Sequence, residues 1–278
     1  MYPSISFPGT HYTLGNTQEW LNGGFTFSEF LKSNDGKFNG NLYISGPLNY
    51  EDPEYRRYYE EVPHGLVRRI VRKEDMTQDV ESLRRETADT WKIVARHHRN
   101  LPDEVKYSQE TWEWTVRREF FDHFVERAAF LLDAAINNKN GSASKLRSLV
   151  EAAAWLELAG IHDSKISGIA PSLKKNLGLA YLHMVRNNER GFEYYLPKTE
   201  DIFSGVGEKA FMTPLKDVWW GLNGEQEAGK GDWKTWATQR WSETWGEFLS
   251  MKEAANDPSY KQIKSIFDTV FSATRKKQ

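Results

Sequence analysis

Cysteine is absent from this 278-residue chain. That excludes disulfides and thiolate metal ligands, removes the usual thiol nucleophile, and makes a reducing compartment the expected setting. An excess of one charge is also lacking. Lys+Arg 37 against Asp+Glu 39 leaves a formal charge of −2, too little for a protein held mainly by a nucleic-acid or anionic-membrane field. Long apolar runs are missing as well. Stretches such as Ala128–Leu132 fall far short of the ~18 residues that a spanning helix needs. The opening residues have no basic segment followed by an apolar one, so no secretory signal is read there. The first arginine is Arg56 and Glu19 comes early, unlike an Arg-rich, acid-poor transit peptide. The expectation is a soluble intracellular protein, in the cytoplasm or an organelle interior, with no membrane span.

Aromatic residues are plentiful: 14% of the chain, with 11 tryptophans. Large rings supply buried area, so a core can form although hydrophobic residues are only 39%. Residues 1–50 differ from the rest. Gly9, Gly15, Gly23, Gly24, Gly36, Gly40 and Gly46, with Pro3, Pro8 and Pro47, break any helical period. Phe25–Leu31 can form one short helix, and Asn39-Gly40 is a hairpin signal. Tyr2, Phe7, Tyr12 and Trp20 make the segment too aromatic for a disordered tail. It reads as an extended N-terminal arm docked on another surface.

From residue 51 to 278 the punctuation is helical, with a sub-boundary near 198–213. Asp52-Pro53, Thr213-Pro214 and Asp257-Pro258 each place a capping residue before a first-turn proline, and Ala170-Pro171 is a weaker start. Helices are expected over 75–99, 108–137, 144–159, 171–187, 189–196, 214–222, 233–254 and 258–275. The stripe of the second is Val116, Phe120, Phe124, Leu131 and Ala135. The short link between the first two implies an antiparallel hairpin. No strand alternation stands out. The fold class is all-α, an irregular multi-helix domain built from antiparallel helical hairpins.

Asn176-Leu177-Gly178-Leu179-Ala180-Tyr181 resembles the L-G-x-x-Y core of a tetratricopeptide repeat's first helix. Lys174 stands at the repeat's tryptophan, Arg190 at its small residue, and Pro197 inside its second helix. Nothing recurs at the 34-residue period. The resemblance therefore implies helix-pair packing, with Gly178 allowing close approach, and not membership of the family.

Four patterns carry candidate chemistry. Gly224–Gly231 nearly spells a phosphate loop, but Gly231 replaces the hydroxyl residue and no strand precedes it; a loop before a helix capped by Asp232 is expected. Glu119, His123 and Glu126 share a helix face that could hold a metal. Asp122, Arg118 and Asp133 crowd the same side, so the face reads as solvated. His97-His98 suits a helix C-terminus, and His64 and His183 have no spacing partner. Arginine doublets recur at Arg56-Arg57, Arg68-Arg69, Arg84-Arg85 and Arg117-Arg118, near Tyr55, Tyr58 and Tyr59. Acidic residues interleave with them, which favours a protein interface over RNA.

The fourth pattern is tryptophan. At 100° per residue, Trp241 and Trp245 share an arc with Phe248 and Leu249, while Trp236 lies with Arg240, Glu243 and Glu247, and Trp233 falls between. The first pair reads as core, the second as contact residues. Together these features favour a non-catalytic structural or scaffold subunit that binds other protein subunits. Trp20, Trp233, Trp236, Arg68, Arg69, Arg117 and Arg118 are its interaction candidates. An RNA-coating helical protein and an all-α enzyme with a scattered site are the alternatives. No catalytic residue, cofactor or metal is assigned.

Overall fold

A computed structural model describes residues 5–13, 23–38, 42–45, 52–76, 80–97, 110–137, 145–162, 170–187, 203 and 233–275. Helix dominates them. The α-helices are α1 (Phe27–Ser33), α2 (Pro53–Tyr58), α3 (Val80–His97), α4 (Trp112–Asn137), α5 (Lys145–His162), α6 (Ala170–Arg186), α7 (Trp233–Ser250) and α8 (Tyr260–Arg275). Strands are short: β1 (His11–Tyr12), β2 (Gly24–Phe25), β3 (Tyr43–Ile44), β4 (Tyr59–His64) and β5 (Val67–Arg72). The chain divides into two units, Met1–Asp79 and Val80–Gln278. The change of composition at residue 50 falls inside the first. The helices expected at 189–196 and 214–222, the sub-boundary at 198–213, the phosphate-loop-like segment and Asn39-Gly40 all lie outside the described residues.

In the first unit, local capping overcomes the density of glycine. Thr26 caps α1: its hydroxyl accepts from Glu29 N at 3.3 Å, and its own N–H donates to Glu29 Oε2 at 2.7 Å, a reciprocal capping box. Asp52 caps α2, where Oδ1 accepts from the N–H groups of Glu54 and Tyr55, both at 3.1 Å. Its Oδ2 also accepts from Ser28 N at 3.0 Å, so one carboxylate fastens the starts of two helices. Burial pushes that carboxyl up, and the hydrogen bonds from Ser28, Tyr55 and Glu54 outweigh it and hold it below its ordinary value. Leu31, Tyr55 and Ile70 form a small core, with Phe27, Phe30, Leu42, Ile44 and Tyr59 packed round it. The segment that reads as an arm therefore shares a core with residues beyond 50.

The sheet was not evident from sequence. β5 lies between β3 and β4, antiparallel to both. Gly65 supplies the positive φ, 69°, that the two-residue turn between β4 and β5 needs. Two features hide the hairpin. Arg68 occupies an inward position beside Ile70, where alternation calls for an apolar residue, and it turns to Glu61 at 3.6 Å. Pro63 stands inside β4. His64 faces Val67 across the turn and Pro63 faces Arg68, so the proline nitrogen points to the open edge, where a missing N–H costs no ladder bond. The N–H of Tyr59 is already used by Tyr55 O. That edge is a poor template for a further strand.

The second unit is organised around α5. Leu146, Leu149, Val150, Ala152–Leu156, Leu158 and Ala159 are all buried. A helix apolar on every side belongs in a centre. α4 packs on α5, α5 on α6, α6 on α7 and α7 on α8, and each pair is antiparallel. Arg127 meets Glu151 and Phe124 meets Trp155. Tyr181 meets Glu157, and Leu173 lies beside Gly160. Tyr181 meets Trp236 and Lys174 meets Glu247, and Trp241 meets Phe267 while Phe248 meets Tyr260. In every case the numbers run in opposite directions. The expected close α3/α4 pair is different: α3 joins the array through Arg84 and Trp91, whose long side chains reach α4 and α5. Among the described residues no helix is long and apolar enough to cross a membrane.

Trp241 and Trp245 are buried, in the arc that the helical period assigns to core. Gly178 explains how α6 and α7 approach. A Cβ there would fall inside the Trp245 indole, whose Nε1–H donates to Lys175 O at 3.1 Å. Gly178→Ala is expected to cost about 1–3 kcal/mol by overpacking, and Trp245→Ala about 3–5 kcal/mol by emptying the site. Urea denaturation of both variants checks this; a neutral Gly178→Ala would mean the two helices do not meet at that point.

Candidate functional site

A charge on α5 has no water to face, so Glu151 has to find cations inside the protein. It finds two. Arg84 on α3 donates Nε–H to Glu151 Oε2 at 2.7 Å, and Arg127 on α4 donates from Nη2 at 2.9 Å and Nε at 3.2 Å to Oε1. Arg84 also donates to Ser148 Oγ at 2.7 Å and Glu81 Oε1 at 2.5 Å, and Arg147 pairs with the other oxygen of Glu81. All three members of the triad are buried.

Aromatic rings seal this network. The Arg127 guanidinium lies over Trp91, 5.1 Å from the ring centroid. Trp91 meets Trp155 edge-on at 5.0 Å, and Phe124 and Phe203 flank Trp155 at 5.2 and 4.6 Å. The ring face partly compensates a guanidinium whose Nη1 has no hydrogen-bond acceptor. Burial alone would raise the Glu151 carboxyl; the charges of Arg127 and Arg84 and their hydrogen bonds reverse this and hold it at about 2. Both oxygens of the carboxylate are taken by donors of the described residues.

A second polar knot ties α5, α6 and α7. Tyr181 Oη–H and Arg240 Nη2 both donate to Glu157 Oε1 at 2.5 Å, and Arg240 lies over the Tyr181 ring at 5.8 Å. Burial, then the Glu157 charge, pushes the Tyr181 hydroxyl well above its ordinary value. Tyr181 therefore stays a neutral donor.

The residues singled out in the sequence distribute unevenly. Arg68 and Arg117 are buried and serve their own units, Arg68 at Glu61 and Arg117 over Phe121 at 5.3 Å. Arg118 is exposed, 3.5 Å from Asp122 and 5.4 Å from the Trp114 ring. Arg69 is half-buried in β5 opposite Val62. Trp236 is half-buried, with its ring edge-on to Tyr181 at 5.4 Å. Trp233 begins α7, and its side chain is outside the described residues, as is all of Trp20. The face of Glu119, His123 and Glu126 is not fully solvated: His123 is buried, its Nδ1 3.2 Å from Glu126 Oε2. Among the described residues no three His, Asp or Glu are placed to hold a metal.

The surface feature that periodicity missed is at the start of α4. Trp112 is 81% exposed and Val116, one turn on, 44%. Val116 belongs to the stripe expected in the core. The pairing of Arg127 with Glu151 and Phe124 with Trp155 explains the difference: continued along both helices, it brings His162, the end of α5, level with about residue 116. The first turn of α4 overruns its partner. Nothing in the spacing of apolar residues reveals where a neighbouring helix stops. Ile93 on α3 is likewise exposed, among Arg85, Glu86, Asp89, Arg96 and His97.

No family model, curated protein or solved structure matches the chain.

Replacing Glu151 by Gln keeps its shape and strands two buried guanidinium groups, which is expected to cost about 3–5 kcal/mol. The wild-type carboxyl is depressed from 4.5 to about 2. Its contribution, roughly 3 kcal/mol, is present above the unfolded value of 4.5 and lost as pH falls from there toward 2. Denaturant melts between pH 7 and 2 are expected to show a shallower acid limb in Glu151→Gln than in wild type; equal limbs would remove the triad as the cause.

Proposed function

We propose that the protein is a non-catalytic structural subunit that binds other protein subunits. The observation that carries this reading is Trp112, a tryptophan left in water on the overhanging first turn of α4 with Val116 beside it. Covering a ring of that size removes 150–250 Å² from solvent, roughly 4–6 kcal/mol of transfer free energy as an upper bound. Tryptophan and arginine are the residues that anchor interfaces, and Trp114 and Arg118 stand on the same turns. The buried triad ties helices of its own unit together, which supports looking to the surface for binding chemistry.

RNA coating has less support. A phosphate-tracking surface needs cations that are not already matched. The arginines at Arg68, Arg72, Arg84, Arg118, Arg127 and Arg240 are each paired with a carboxylate in their own unit.

Trp112→Ala is expected to leave the denaturation midpoint of the isolated chain nearly unchanged and to weaken subunit association by about 30-fold or more, the scale of an interface hot spot. Native mass measurement over a dilution series reads both the assembly and its loss. An unchanged dissociation constant would remove Trp112 from the interface, and a monomer at every concentration, alone and in source extract, would end the subunit reading. In a separate titration, single-stranded RNA is expected to bind no tighter than roughly 10⁻⁶ M at physiological salt. Tighter binding with a steep salt slope would put RNA coating first.

A further inference from the structure

The first turns of α4 carry that helix's packing face past the ends of both its neighbours. Trp112, Val116 and Phe120 stand at i, i+4 and i+8, so they form one stripe, and His123 and Arg127 continue it. Further along, Arg127 uses this face to reach Trp91 on α3 and Glu151 on α5. Arg84 meets Glu151 and Trp91 meets Trp155, so α3 runs with α5 and against α4. With Trp91 level with Arg127, the end of α3 at His97 falls level with about residue 121 of α4. The stripe therefore outruns α3 as well as α5. Phe120 is half-buried, Val116 is 44% exposed and Trp112 81%.

Carboxylates fringe the stripe. On the helical period Glu113 lies about 60° to one side of Val116 and Glu119 about 60° to the other. Glu113 suits a first turn, where the helix dipole favours an acid. Glu119, further in, has no such reason. Neither has a cation partner among the described residues. The two arginines nearby are committed elsewhere, Arg118 to Asp122 at 3.5 Å and Arg117 buried over Phe121. Burial pushes the Asp122 carboxyl up, and against the pull of Arg118 the charges of Glu119 and Glu126 push it the same way. Negative charge is in surplus along this side of the overhang.

We propose that the stripe of Trp112, Val116 and Phe120 docks an amphipathic helix of a different protein, one whose apolar face is flanked by lysine or arginine. This rests on the reading of Trp112 as an interface anchor and names the chemistry of what covers it. A helix is the fitting shape, since α3 and α5 already lie along the same face and another in line with them continues the packing. Positive flanks answer Glu113 and Glu119. The same carboxylates disfavour other occupants. A second copy, antiparallel about Val116, would set Glu113 of each chain against Glu119 of the other. RNA and an anionic lipid surface would meet the fringe with like charge.

Two labelled synthetic helices test this on the full chain. Each is about 18 residues long, enough to hold a helix, with the same leucine face; one is flanked by lysine and the other by glutamate. In fluorescence anisotropy the lysine helix is expected to bind, and the glutamate helix to bind about tenfold more weakly or worse. Trp112→Ala is expected to weaken the lysine helix by about tenfold or more. Glu113→Lys with Glu119→Lys is expected to reverse the preference, and Glu119→Lys alone to shift it in the same direction, with the denaturation midpoint nearly unchanged. No binding of the lysine helix, equal binding of both helices, or binding that Trp112→Ala leaves intact overturns the docking. A purified chain that self-associates through Trp112 with nothing added makes the partner a second copy and also overturns it. An assembly in source extract that Trp112→Ala breaks and the double reversal does not rejects the cationic helix and leaves the subunit reading standing. A monomer at every concentration, alone and in source extract, rejects both.

Discussion

A carboxylate buried between two guanidinium groups sets the terms for the second unit. Glu151 lies on a helix enclosed on every side, and each of its partners comes from a different helix, Arg84 from α3 and Arg127 from α4. If either helix shifts by a turn, a charge is stranded away from water at a cost of several kcal/mol. The apolar residues around it supply most of the burial energy, yet they would tolerate sliding, since one leucine packs much like another. The triad has no equivalent second register. Specificity of arrangement is the role such a group fits best, and the price of desolvating it explains why Ser148, Glu81 and the Trp155 indole N–H also converge there.

The same logic recurs outward from α5. The Glu157 knot fixes α5, α6 and α7 against one another. Beyond it, Lys175 pairs with Asp257 at 2.7 Å while its carbonyl accepts from Trp245. Each successive helix contact thus combines rings that fill space with a directional tie that sets position. α8 closes the series. Its inward face is Ile263, Ile266 and Phe267, and its outward residues include Lys261, Gln262, Lys264 and Asp268. A helical array ends well on a polar outer face, and this one does.

Much of the second unit was legible because its signals are local and periodic. The arc of Trp241, Trp245 and Phe248 marks core by angle alone, and Gly178 between Leu177 and Leu179 marks close approach. The first unit was harder. A two-residue turn between two six-residue strands needs clean alternation to be seen, and Arg68 and Pro63 spoil it at an inward and an edge position. The short helix expected over Phe25–Leu31 is there as α1, shifted by two residues because the capping box of Thr26 and Glu29 sets its start. Val116 failed for a different reason: its exposure depends on where α5 ends, a fact of tertiary alignment with no trace in the periodicity of α4. The triad was invisible because its members are distant in sequence, 67 and 24 positions apart.

The arginine doublets show how far residue type alone can mislead about a surface. Neighbouring residues diverge by 100° on a helix and point to opposite faces on a strand. A doublet therefore tends to send one arginine inward and one outward. Arg84 and Arg117 are buried while Arg85 and Arg118 are exposed, and on β5 Arg68 is buried while Arg69 is less so. Only Arg56-Arg57, on the short surface helix α2, has both members exposed. Three of the eight doublet arginines are thus internal, Arg68 and Arg84 paired with carboxylates and Arg117 over the Phe121 ring. What is left outside is balanced charge broken by a few large apolar side chains. Balanced charge steers weakly and discriminates by pairing, while an exposed ring supplies most of its energy on being covered. Trp112, the most exposed of the large apolar side chains among the described residues, is one that the charge pattern never marked.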